Sequence, residues 1–151
     1  MINYARKLDC FRNSRSLLMT LFLLAAFPSL SAPKVLLNPQ IDTSALDSAY
    51  LNQIFAMQIR KWPNGTAIQV YILPSESEIH RTFVVDRLKI QAHQLDRIWN
   101  RMLFTGTGKA PTVVQSEEAM LDIVRSTPGA IGYVSEAYPT DGVRAFGGRQ
   151  P

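Results

Sequence analysis

Cysteine is almost missing from this 151-residue chain, which has only Cys10. That residue lies before an apolar run near the N-terminus and is lost if that segment is cut away. The remainder then has no disulfide, no lipid-modified N-terminal thiol and no thiol chemistry. Histidine is nearly as scarce. His80 and His93 stand on different expected helices with no His-x-x-x-His pair or cysteine nearby, so neither a metal site nor a cofactor is expected. Each histidine reads as a surface or helix-flank residue. No Gly-x-Ser-x-Gly elbow supports a Ser/His nucleophile pair, so no catalytic residue is assigned and no enzyme is expected. Gly106-Thr107-Gly108-Lys109 is too short for a phosphate loop and continues into Ala110, where that loop needs a hydroxyl. It reads as a helix-to-strand connector, with room for an exposed contact loop. The longest strongly apolar run, Leu17 to Phe27, is about half the roughly 20 residues a membrane span needs. There is no internal repeat, low-complexity tract or inter-domain linker.

The N-terminus carries Arg6, Lys7, Arg12 and Arg15 against Asp9, followed by an uncharged stretch from Leu17 to Leu30. This is the layout of a signal peptide. Small residues at Ser29 and Ser31 place cleavage after Ser31, with Ala32 as the mature start. The competing reading, an uncleaved anchor, is disfavoured by Pro28, which ends the apolar run. The expected organisation is a signal peptide over 1–31, one domain over 32–146 and a tail over 147–151. Without the leader the formal charge is +1, from 12 basic and 11 acidic residues, so no nucleic-acid partner is expected. The mature part is expected to work outside the cytoplasm with no membrane span.

Within that part, Val35-Leu36-Leu37 predicts a buried strand closed by Asn38-Pro39. Leu46, Tyr50, Leu51, Ile54 and Phe55, with Ile59 at the limit, mark one helix face, capped by Asp47 or Ser44. A turn at Trp62-Pro63-Asn64-Gly65-Thr66 leads into a strand over Ile68 to Leu73. Ser75 and Glu78 have capping-box spacing ahead of a helix through Ile79, Phe83, Val84 and Leu88. Leu95, Ile98, Trp99 and Met102 line a further helix that stops before Thr105. Val113-Val114 is a minimal strand, Ser116 caps a helix through Met120, Leu121 and Val124, and Ala130 to Val134 returns as a buried strand. Val143 to Phe146 is a last edge strand. The alternation predicts an α/β domain with helices on a sheet of about four or five strands. Trp99 and Tyr133 are expected to be structural.

At Leu73-Pro74-Ser75-Glu76-Ser77-Glu78, helix N–H groups and two hydroxyls could hold an anion. The same serines could equally serve only to cap the helix.

The ordered set Val35-Leu36-Leu37-Asn38-Pro39, Ile54-Phe55, Trp62-Pro63-Asn64-Gly65, Ser77, Phe83, Trp99, Phe104-Thr105-Gly106 and Pro128 to Val134 resembles the phosphate-type substrate-binding proteins of ABC importers. The resemblance implies one lobe of a type 2 periplasmic-binding fold, because such proteins need roughly twice this length for two lobes. It implies phosphate or another small anion as ligand, with Ser77 at the place of the family's serine, a second lobe-like chain or transporter component as partner, and the periplasm as location. Ser75 joins Ser77 as a ligand-binding candidate from its hydroxyl at the same helix start. In the family a Ser-Gly-Thr, preceded by an Arg and an Asp, binds phosphate. Here the stretch reads Ser77-Glu78-Ile79, without the glycine or a basic residue, and with Glu76 and Glu78 where a dianion would sit. The alternative is an envelope protein–protein interaction module that kept the lobe without ligand binding.

Overall fold

The structure, a computed structural model, describes residues 32–42, 46–106 and 108–147. The expected leader, Ser44 and Thr107 lie outside the described residues, as does the tail beyond Gly147. The elements are β1 (Lys34–Leu37), α1 (Ser48–Phe55), β2 (Gln69–Ile72), α2 (Glu78–Asp86), α3 (Ala92–Thr105), β3 (Thr112–Val113), α4 (Glu117–Ser126), β4 (Ala130–Val134) and β5 (Arg144–Phe146). They form the expected α/β arrangement on a five-stranded sheet of order β3-β2-β4-β1-β5. β2 runs parallel to β3 and β4, while β1 runs antiparallel to β4 and β5.

β4 is the centre of the core, and all five of its residues are buried. Successive side chains on a strand point to opposite faces, and here the two faces receive different helices. At Gly132 an added Cβ would sit 2.3 Å from Met120 Sδ of α4, so the missing side chain is what lets α4 lie close to the sheet. On the other face Tyr133 stacks on Phe83 of α2 at 3.8 Å between ring centroids, and Phe55 of α1 meets Phe83 edge-on at 4.8 Å. Trp99 of α3 is buried and its indole N–H donates to Phe55 O at 2.8 Å. Both aromatics expected to be structural therefore pack in the core.

Local chemistry sets the helix ends. Asp47 accepts from Tyr50 N–H and Ser116 from Ala119 N–H, so both expected caps form. α1 ends at Phe55, short of Ile59, because Met57 turns into the left-handed region at φ 59°. Gln91 and Gln94 make a reciprocal capping box at the start of α3, and Gly106, at φ 64°, closes its end. β3 covers Thr112–Val113 rather than Val113-Val114, in register with Tyr71 and Ile72 of β2.

Two expectations are corrected. The Ser75/Glu78 capping box does not form: the N–H of Ser77 bonds to Pro74 O at 2.9 Å, closing a turn over Ser75 and Glu76. The helix therefore starts two residues later, with Ser77 as its N-cap. His80 is not a surface residue, being only 1% exposed, because the first turn of α2 presents it to β4 and α3.

Candidate anion-binding loop

The loop from Leu73 to Ser77 joins the end of β2 to α2. In α/β sheets the ends of parallel strands, where helices begin, are the usual places for ligands. The first intrahelical bond of α2 runs from Arg81 N–H to Ser77 O at 3.1 Å, so the N–H groups of Glu78, Ile79 and His80 precede it and have no helical acceptor. Ser77 makes no side-chain capping bond. Its hydroxyl is thus available beside a helix end that carries partial positive charge.

Ser75 is exposed and lines a shallow cavity of about 350 Å³ against Asp96, Trp99 and Asn100 of α3. Ser77 is half-buried and is not among the residues lining that cavity. The structure thus places both serines on one loop but brings only Ser75 to the cavity. Glu76 and Glu78 are exposed beside them. Sequence reasoning missed one cation: Arg81 reaches back one helical turn and donates to Glu76 O at 2.5 Å. The only signal for it was the four-residue step from Ser77, which puts both residues on one helix face.

Beneath the loop, Leu73 N–H donates to Tyr133 Oη at 2.9 Å, and that oxygen lies 2.5 Å from His80 Nδ1. Burial pushes the Tyr133 phenol above its ordinary range. Burial also lowers the His80 pKa, against the opposing pull of the Asp96 and Glu76 carboxylates. The loop behind α3 is set differently. Lys109 is exposed, and Gly108 lies against the Arg60 guanidinium and Met102 Sδ, where a Cβ would come within 3.0 and 3.4 Å.

No protein-family model matches the chain, and no curated protein matches it in sequence. Solved structures do match. PstS from Borrelia burgdorferi is 15% identical with a TM-score of 0.58, over 78% of this chain and 47% of that one. A protein assigned as a phosphate ABC transporter substrate-binding protein from Clostridium perfringens, with bound phosphate, is 17% identical with a TM-score of 0.61, over 76% and 44%. An ABC-type phosphate transport receptor from Vibrio cholerae is 18% identical with a TM-score of 0.54, over 76% and 45%. The chain spans less than half the length of each of these structures. Its fold is that of one lobe of the phosphate-type substrate-binding proteins.

Proposed function

We infer that this is an exported solute-binding-type protein in one-lobe form, an accessory to or remnant of a phosphate-type receptor. In this reading residues 1–31 are a signal peptide, 32–146 the binding domain and 147–151 a tail, and the mature protein works in the periplasm. The observation that carries the reading is the conjunction of a phosphate-receptor fold with an uncapped helix start at the end of β2. Ser75, Ser77 and the N–H groups after them would contact phosphate or another small anion.

Such contact is weak in an isolated monomer. About three charge-assisted hydrogen bonds at roughly 1.5–3 kcal/mol each are set against an association cost of about 4–15 kcal/mol, and the two nearly cancel. Glu76 and Glu78 oppose a dianion, and Arg81 is partly engaged with Glu76 O. Millimolar affinity or weaker follows, unless a second lobe-like chain or a transporter component closes over the loop. Calorimetry with phosphate on a verified monomer tests this. Micromolar binding abolished by Ser77→Ala would instead establish an autonomous receptor, while binding that appears only with a partner would identify the closing lobe.

One observation favours the alternative, an envelope interaction module. Phe104 is 90% and Leu103 55% exposed at the end of α3, and Leu103 lines one cavity with the exposed Val113 of the edge strand β3. Exposed apolar groups of this kind are typical of protein contacts. Capture of envelope proteins that is lost on Phe104→Ser, with no anion response, would favour that module.

A further inference from the structure

The loop is pinned at both ends to one buried atom. Leu73, at the end of β2, and His80, in the first turn of α2, both hydrogen-bond to Tyr133 Oη on β4, and Tyr133 and His80 are essentially inaccessible to solvent. One lone pair of Oη accepts from Leu73 N–H. The arrangement that leaves the hydroxyl hydrogen satisfied has it donating to His80 Nδ1, which places the ring's own hydrogen on Nε2. Among the described residues Nε2 has no hydrogen-bond partner.

A second proton on this ring must go to Nδ1, the nitrogen that accepts from Tyr133. The hydroxyl hydrogen then loses its acceptor and must turn away, so that any remaining contact runs the other way, from Nδ1–H to Oη, and a positive charge sits between the rings of Trp99 and Tyr133. The charged groups around the imidazole come from three sides. Asp96 on α3 and Glu76 on the loop favour the charged ring, and burial outweighs both. On α2 itself Glu78 and Arg81 are exposed, with Arg81 turned back to Glu76 O. From β4 the facing group is the Tyr133 phenol, which burial keeps protonated.

We propose that His80 and Tyr133 form an acid-sensitive latch: a proton taken up by His80 breaks the hydroxyl-to-imidazole bond, releases the first turn of α2 from β4 and loosens the loop from Leu73 to Ser77. The direction follows from linkage. Unlatched, His80 takes its proton near the ordinary value of 6.5, and latched, at a lower value. The latch is therefore at full strength above pH 6.5 and weakens as the pH falls through the interval between those two values. Within that interval the opening constant of the loop rises as the pH falls, by at most about tenfold per pH unit, the limit for one proton. The latch titrates without ligand, so it stands apart from whether the loop binds an anion.

The test is amide hydrogen exchange and imidazole NMR on the purified protein from about pH 7.5 to about pH 5. Protection of the Leu73 amide, corrected for intrinsic rate, should fall with pH within the linkage interval, by at most about tenfold per pH unit, while that of Ile131 in β4 holds. The chain has two histidines, so His93→Gln leaves the His80 ring as the sole imidazole signal. That ring should carry its hydrogen on Nε2 at neutral pH and still be more than half neutral at pH 6.5. His80→Asn keeps an acceptor near the Nδ1 position and cannot titrate, so it should flatten the Leu73 profile. Leu73 protection that ignores pH, or that falls in parallel with Ile131, overturns the latch. A ring mostly charged at pH 6.5, or one with its hydrogen on Nδ1, does the same. Where His80→Asn fails to fold, the ring titration and the comparison of Leu73 with Ile131 in the unaltered protein decide the matter.

Discussion

Gly129 combines three constraints at one residue. Its φ is +76°, an added Cβ would lie 2.1 Å from the backbone oxygen of Ala67, and its own carbonyl accepts from both Trp62 Nε1 at 2.9 Å and Gln69 N–H at 3.1 Å. Backbone cannot retreat as a flexible side chain can, so Gly129→Ala should destabilise by about 2–5 kcal/mol, read from denaturant unfolding. Trp99→Ala should cost about 3–5 kcal/mol by the same measurement, since it removes a buried ring and leaves Phe55 O without its donor. An unchanged midpoint would place the ring at the surface and open the question of a binding role for it. The burial of Trp99 and Tyr133 was legible because each sits in an apolar pattern. The burial of His80 and Asn38 was not. A polar residue enters a core only where a partner waits, and those partners are distant in sequence: Tyr133 for His80, and the Val124 and Arg125 carbonyls for Asn38.

Helix starts separate what local sequence encodes from what context decides. At α4, Ser116 bonds to Ala119 N–H at 3.1 Å with Glu117 and Glu118 in the first turn, and the sequence alone placed this start correctly. Ser116→Ala should cost about 1 kcal/mol. At α2 the similar-looking Ser75-x-x-Glu78 gave way to the turn that Pro74 makes with Ser77, a choice between two local bonds that spacing cannot rank. Because the Ser77 hydroxyl makes no capping bond, Ser77→Ala should leave the thermal midpoint nearly unchanged. A large loss would show that the hydroxyl caps after all and is not free for a ligand. β3 moved by one residue for a related reason, since a two-residue strand takes its register from β2 and not from its own pattern.

At the scale of the molecule, the alternation of elements was enough to give the α/β class, because each amphipathic segment has to bury one face against a sheet. Strand order was not legible, since it depends on which distant strands meet. The described chain is already anchored at Ala32, where Arg87 donates to the carbonyls of Ala32 (3.2 Å) and Pro33 (2.7 Å). Mass spectrometry of the extracytoplasmic fraction should find an N-terminus at or near Ala32, and recovery of only the full precursor in membranes would contradict cleavage. The pairing of β1 with β5 has a further consequence. Val35 lies opposite Phe146, so the first and last strands of the unit are neighbours, about 5 Å apart between Cα atoms. A unit whose incoming and outgoing chain run side by side behaves as a cassette: it can sit within a longer polypeptide on two short tethers, or be circularly permuted, with little change to its interior. A permutant that joins residue 147 to residue 32 through a short glycine-serine linker and opens at the exposed Pro63-Asn64 turn should refold with β4 still at its centre, as judged by its near-ultraviolet circular dichroism.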